Sequence, residues 1–209
     1  MTPILTQAGP YKVNWVPCPF SRKRVQLDLP RAGILHTTEG GFEGSLEVFE
    51  QHYAPHFEVG LDKGVPRINQ LVKVGYIGSA CRAHNDKAIV QIEMVGFSQT
   101  TPWYPHGKVT RDDGQVFDYG DTDIALAWLM IEIEKEYGVP LSHPFADDDW
   151  PRAGHNPHRN ANKFGKIAGW YGHGDMPDPD VHWDPGHFLY SVLFKKCQEI
   201  KDGSTESVK

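Results

Sequence analysis

Between Trp170 and Gly186 the chain gathers two histidines and four aspartates in a stretch interrupted by three prolines and three glycines. Proline fixes φ and removes a backbone donor, so such a stretch is ordered loop rather than helix. Imidazole nitrogens and carboxylate oxygens are zinc ligands at about 2.0 to 2.3 Å, and a catalytic zinc takes three protein ligands and leaves a fourth place for water. His173 and Asp184 lie eleven residues apart on either side of a Pro-rich excursion that can fold back on itself. The third ligand must come from elsewhere in the fold, and His36, at the end of a short apolar run, is the candidate. Each position also has an ordinary explanation. Asp184-Pro185-Gly186 can be a turn with Asp184 capping a final helix, and His36 can be a strand histidine bonded to a carbonyl. Residue types and spacing leave both readings open.

The elements that must carry these residues follow from apolar periodicity. Ala32 to Thr38 reads as a strand buried on both faces, with His36 at its exit and a turn at Glu39-Gly40-Gly41. Ser45 can cap a short helix reaching Tyr53. His56–Leu61 and Val65–Val74 read as a hairpin turning at Asp62-Lys63-Gly64. Ala88 to Val95 alternates, with Val90, Ile92 and Met94 on one face and Gln91 and Glu93 on the other; Glu93 is therefore expected to face a cleft or solvent. Thr100 to Tyr119 reads as loop. Asp121 or Thr122 opens the strongest helix, which runs to about Tyr137 with a wide apolar stripe through Ile124, Trp128 and Ile131 and through Leu126, Met130 and Ile133. Gly138-Val139-Pro140 stops it. Ser142 to Lys166 is a long polar loop, and Gly186 to Cys197 can form a last helix. The first thirty residues lack a period and suggest an irregular arm. The expected class is α/β, a central mostly mixed β-sheet flanked by α-helices. The expected division is an arm packed on the domain at 1–31, one domain at 32–200, and a polar tail or linker at 201–209.

Composition excludes several partners. The 209 residues carry 21 Lys+Arg against 27 Asp+Glu, a net charge of −6, with no basic block to neutralise phosphates, so no nucleic-acid partner is expected. No window approaches the roughly 18 apolar residues of a membrane span, and no Sec-type signal opens the chain, so no membrane insertion is expected. Cys18, Cys81 and Cys197 form no CxxC pair and no disulfide framework, which suits a reducing compartment. The eleven histidines and six tryptophans point instead to a site.

Four motifs in order then change the weights: Ile34-Leu35-His36-Thr37-Thr38, the hairpin strand His56-Phe57-Glu58-Val59, the strand Ile89 to Gly96 with Glu93, and Gly172-His173 followed by Asp184-Pro185-Gly186. Together, over roughly Ala32 to Lys195, they resemble the zinc-dependent N-acetylmuramoyl-L-alanine amidases of the phage-lysin and peptidoglycan-recognition-protein fold. The closing His182-Trp183-Asp184-Pro185-Gly186 is most similar to amidase domains of lysins from phages of actinobacteria.

The resemblance implies one Zn²⁺ per chain held by His36, His173 and Asp184, and hydrolysis of the amide between N-acetylmuramic acid and L-alanine by a zinc-activated water. It implies that Glu93 takes the water's proton and returns it to the leaving amine. His182 stands where family members often carry a lysine that stabilises the oxyanion. Histidine can donate there in either tautomer but is charged only below about pH 6.5. Its ordinary alternative is a loop histidine stacked on Trp183.

The implied partner is peptidoglycan, glycan strand plus stem peptide, bound by a monomer in an open groove. Trp103, Tyr104, Trp150, Trp170, Tyr171 and Trp183 are expected to line that groove, and Trp150, Arg152 and His155 could touch the stem peptide. His56 is expected in packing or in the site's floor, and His106, His143, His155 and His158 on the surface. Cys81 and Cys197 are expected in ordinary burial, neither beside a His-containing motif that would suggest a thiol protease. Without a Sec-type signal the expected setting is a phage lysin made in the host cytoplasm and acting on the wall after the membrane opens, with a cytoplasmic wall-recycling amidase as the competing case. The same fold also serves as a non-catalytic peptidoglycan-binding module, which keeps the groove and loses the ligands; here all three ligand positions and the glutamate are present. A protein-directed metallopeptidase stands third, since no HExxH helix occurs.

Overall fold

The computed structural model describes residues 4–19, 22–25, 31–146, 163–177 and 182–203. Seven strands form the central sheet in the order β1-β2-β6-β5-β8-β4-β12. They are β1 (Gln7–Ala8), β2 (Tyr11–Trp15), β4 (Ala32–Thr37), β5 (Phe57–Asp62), β6 (Val65–Gln70), β8 (Val90–Met94) and β12 (Gly169–Gly172). The sheet is mixed: β12, β4, β8 and β5 run parallel to their neighbours, and the β5–β6 hairpin is antiparallel. Its turn falls where the sequence places it, with Lys63 and Gly64 at φ 52° and 81°, as a two-residue hairpin connection requires. Thus the α/β class with a mixed sheet is the one observed.

The sheet's two faces differ in chemistry. Leu35, Phe57, Val59, Ile68, Val90, Ile92 and Met94 project into the main apolar core, which is closed by the helices α2 (Thr122–Tyr137) and α3 (Tyr190–Lys201). Their alternates Ile34 and Tyr171 join a smaller cluster with Cys81, Phe145 and Met176, and His36, Glu58, Glu93 and Asn69 are buried polar groups between those apolar positions. Phe49 of α1 (Phe42–Gln51) packs with Cys18, Leu71 and Val72 in a third cluster.

Several expectations shift. Helix α1 starts at Phe42, before Ser45, because Gly41 takes the extended N-cap conformation; Ser45 sits inside the helix with its Oγ donating to the Gly41 carbonyl. The Thr100–Tyr119 stretch is not loop: β9 (Gln99–Trp103) pairs with β13 (Gly186–Phe188), and β10 (Gly107–Thr110) pairs with β11 (Val116–Gly120). Its Pro, Gly and aromatic residues hide the alternation that four- and five-residue strands carry. Helix α2 ends on Gly138 in the left-handed region, as expected, but its buried face runs through Leu126, Leu129, Met130, Ile133 and Tyr137, while Ile124, Trp128 and Ile131 flank it half-buried. Helix α3 begins at Tyr190 rather than Gly186, with Leu189 as N-cap, so Asp184 does not cap it. Within the N-terminal arm, β2 pairs with β6 and adds Val13 to the core. Two further strands, β3 (Arg22–Val25) and β7 (Tyr76–Ile77), pair outside the main sheet.

Candidate metal centre

Strand β4 is buried along its whole length and delivers His36 next to its last residue, Thr37. Strand β12 pairs with it in parallel, Gly172 opposite Leu35, so His173 leaves the sheet beside His36. There the chain turns through a short 3-10 helix, His173–Asp175, held by the Gly172 N–H donating to Asp175 Oδ2 and by His143 bonded to the same carboxylate. The returning segment is tied on by the Gly174 N–H donating to the Asp184 carbonyl. The two ends of the excursion are therefore brought together as the sequence predicts; residues 178–181 lie outside the described part.

The three candidate ligands converge. Asp184 Oδ2 lies 3.0 Å from His36 Nδ1 and its Oδ1 lies 3.3 Å from His173 Nδ1. One donor atom from each residue falls within 4.8 Å of the others. Two imidazoles and a carboxylate with atoms this close, all buried, are the donor set and spacing that a tetrahedral zinc requires, so the residues fit the ion. Burial drives the His36 imidazole below its usual pKa, towards the neutral form a metal needs. Burial pushes Asp184 up, but hydrogen bonds from His173 and His36 overcome it and hold the carboxyl well below the ordinary range.

A cleft of about 470 Å³ opens over this group, walled by Glu93, His182, Tyr53, Arg82 and Glu39 among others. Glu93 is paired in register with His36, 4% exposed, and projects on the ligand side of the sheet. Burial first, and then the negative charges of Asp184, Glu58 and Glu39, raise its pKa well above that of an ordinary glutamate. His182 stacks face to face on His173, with ring centroids 4.6 Å apart and planes 6° from parallel, and its Nδ1 is 3.8 Å from Asp184 Oδ1. It therefore packs on the candidate ligand His173 rather than on Trp183, and with 38% of its side chain exposed it forms part of the cleft wall.

Other expectations fail for clear reasons. Trp103, Trp170 and Tyr171 do not line a groove: they are buried in the apolar clusters, Trp103 with its Nε1–H donating to the Pro185 carbonyl. Tyr104 packs half-buried against the same core. Trp150, Arg152, His155 and His158 lie outside the described residues. His143 is not a surface residue; its ring is buried, bonded to Asp175 and stacked on Tyr190 at 4.1 Å. His56 is fully buried, accepting from the Gln91 N–H at Nδ1 and donating from Nε2 to the Tyr76 carbonyl. His106 is exposed and forms, with Asp121 and Asp123, a second group of donor atoms within 4.8 Å; it sits at the N-terminus of α2, whose dipole disfavours a cation.

Cys81 is the residue the sequence hides. It is buried as expected, yet its Sγ lies 3.2 Å from His36 Nε2, so it does neighbour a site histidine. Cys81, His36 and Asp184 thus stand in the order of a nucleophile, base and acid, but the sulfur is fully buried while the adjacent Ala80 and Arg82 wall the cleft. No substrate reaches it, and its effect is on the ring.

The same arrangement of strands and helices occurs in solved structures. Staphylococcus aureus hydrolase AmiA, solved in complex with its ligand, superposes with a TM-score of 0.58 at 13% identity over 94% of this chain and 88% of that one. The Ph2119 endolysin from the Thermus scotoductus bacteriophage gives 0.52 at 16% identity over 89% and 99%. The endolysin N-acetylmuramoyl-L-alanine amidase LysCS from Clostridium intestinale gives 0.52 at 13% over 90% and 95%. The chain has the amidase fold. No family model matches the sequence, and no curated protein does either, so at these identities the likeness establishes the fold and leaves the activity to the site. Among the described residues no helix is long and apolar enough to cross a membrane.

Proposed function

We propose that this protein is a zinc-dependent N-acetylmuramoyl-L-alanine amidase that acts on the bacterial cell wall as a phage lysin. The observation that carries the reading is the buried His36–His173–Asp184 group under an open cleft, with Glu93 beside it in register. Solved proteins of this fold named as N-acetylmuramoyl-L-alanine amidases and endolysins support the substrate class.

Zinc held by those three residues would supply a Lewis acid and a water acidic enough to act near neutrality. Glu93 is the one carboxyl in the cleft wall on the strand next to His36, and its raised pKa suits a group that takes a proton from the attacking water and passes it to the leaving amine of L-alanine. His182, at the cleft wall and braced on His173, would donate a hydrogen bond to the oxygen of the scissile carbonyl as it becomes negative. Tyr53 and Arg82 supply a hydroxyl and a cation to the same wall, suited to the polar stem peptide.

The test is elemental analysis of the purified protein beside His173→Ala, paired with release of new L-alanine amino termini from peptidoglycan. About one zinc per chain, lost together with activity in the variant, is expected. Wall binding without metal or hydrolysis in either protein would make it a non-catalytic binding module of the same fold.

A further inference from the structure

The strand that delivers His36 leaves the sheet through Thr37, Thr38 and Glu39, and all three wall the cleft. Glu39 takes φ 54°, although Gly40 and Gly41 stand next to it. That left-handed region strains a residue with a Cβ and leaves glycine at ease. Among the described residues Lys63 and Arg82 are the other non-glycine positions at positive φ. Lys63 is accounted for by the β5–β6 hairpin turn, whereas Arg82, at φ 45°, stands in the same cleft wall as Glu39. Strained residues of this kind gather at ligand clamps, where the surrounding fold holds a side chain in place. At Glu39 a glycine would suit the backbone better, so what the residue adds there is its carboxylate.

That carboxylate is held by one oxygen. Oε1 accepts three hydrogen bonds, from the Thr37 hydroxyl at 2.8 Å, the Ser98 N–H at 2.9 Å and the Ser98 hydroxyl at 2.5 Å. Thr37 ends β4 and Ser98 follows β8, so the group is clamped between the exits of the strands that carry His36 and Glu93. Glu39 is nonetheless exposed, its Oε2 has no hydrogen-bond partner and it forms no ion pair among the described residues. A surface glutamate ordinarily has rotamer freedom to lose when a ligand arrives; this one is already ordered, which is what preorganised recognition requires. Oε2 can only accept, so it attracts an N–H or ammonium group and repels a carboxylate or phosphate.

We infer that Glu39 determines which stem peptides the cleft takes, its Oε2 accepting from an N–H donor of the peptide, either a backbone amide or the ammonium of a diamino residue. The substrate class rests on the amidase reading given above; the fixed acceptor in the cleft wall does not. The clamp alone is a structural role, and Glu39→Gln separates the two. Glutamine keeps an oxygen for Thr37 and Ser98 and presents an N–H where Oε2 stands, so the clamp survives and the acceptor is lost. Glu39→Gly removes the side chain at a position whose φ suits glycine, so its effect is not backbone strain.

The probe is N-acetyl-L-Ala-D-isoGln-L-Lys, a stem peptide without sugar, titrated into the zinc-loaded protein. Glu39→Gln and Glu39→Gly should each weaken its binding about 10-fold, with zinc content kept. On the muramoyl form of the same peptide, Glu39→Gln should raise KM by a similar factor and leave kcat within a few-fold. Acetylating the lysine amine identifies the source: a penalty that disappears belongs to the ammonium, and one that persists belongs to a backbone amide. Equal Kd values for wild type and Glu39→Gln, or no binding of the peptide by the wild type, overturn the inference. An effect of Glu39→Gly alone overturns it too, because then only the clamp matters. Should the wild type bind the peptide more tightly than Glu39→Gln yet hydrolyse nothing, the amidase reading falls and the contact stands.

Discussion

Cys81 holds the His36 ring from behind: its Sγ lies 3.2 Å from Nε2, while Nδ1 of the same ring faces Asp184 at 3.0 Å. Zinc held by this group would take the Nδ1 lone pair and leave the proton on Nε2, pointing at sulfur, an outer partner of the kind that fixes tautomer and orientation. Cys81→Ala should therefore weaken zinc binding by about 10- to 100-fold, read by competition with a chromophoric chelator. Cys81→Ser, which restores an acceptor, should recover most of that affinity. Equal affinities in all three proteins would show that the sulfur only fills space.

Glu93 offers a sharper separation of binding from chemistry. It stands beside His36 in register and in the cleft wall, but is not one of the three converging donors. Glu93→Gln should keep zinc at the wild-type stoichiometry and lose about 10²- to 10⁴-fold in the rate of amide hydrolysis. Full activity with intact metal would remove Glu93 from the reaction.

Residue type and spacing made His173 and Asp184 candidates and left their ordinary readings open; it was the resemblance to the amidases that joined them with His36 as a ligand group. Alternation gave the face on which Glu93 stands and the resemblance gave it a role, while α2 was legible from its period and its stop at Gly138. Partners contributed by strand pairing were not. Glu58 shows the same apolar-acid-apolar pattern as Glu93, yet only the β5–β8 register brings the two acids together. Cys81 meets His36 across 45 residues, with no local motif at either end. The aromatic residues misled for a related reason: Trp170 and Tyr171 flank the metal loop in sequence, but they belong to β12, a strand buried at every position.

Glycines give a stability test with opposite signs. Gly33 on β4 pairs with Trp170, and a Cβ at Gly33 would lie 2.6 Å from the indole Cε3 and Cζ3 atoms. Because Trp170 is fully buried it has nowhere to go, so Gly33→Ala should destabilise by about 1–3 kcal/mol. Gly44, exposed within α1, has nothing within 4 Å of the position a Cβ would take, and Gly44→Ala should stabilise by about 0.5–1 kcal/mol through backbone entropy. Denaturant midpoints of the two variants on opposite sides of the wild type are expected; a neutral Gly33→Ala would contradict the close packing of β4 on β12.

His56 predicts a pH dependence of folding that is independent of the metal ligands. Burial drives its pKa down to about 4, and its two hydrogen bonds, from the Gln91 N–H and to the Tyr76 carbonyl, require the neutral ring. In the unfolded chain the same imidazole titrates near 6.5. Between those values the unfolded state binds a proton that the folded state refuses, so stability rises with pH through this window and is lost as pH falls from about 6.5 towards 4. The slope for one proton is about 1.4 kcal/mol per pH unit, on the order of 3 kcal/mol across the window. His56→Gln can replace one donor and one acceptor without a titrating group, so it should flatten the pH dependence whatever fixed cost it adds. Chemical denaturation of both proteins from about pH 4 to 8 measures the difference and cancels every other titrating group that the substitution leaves unchanged. Parallel curves would mean that His56 takes up its proton in the folded state as readily as in the unfolded one, and that its burial between β5 and β8 does not hold it neutral.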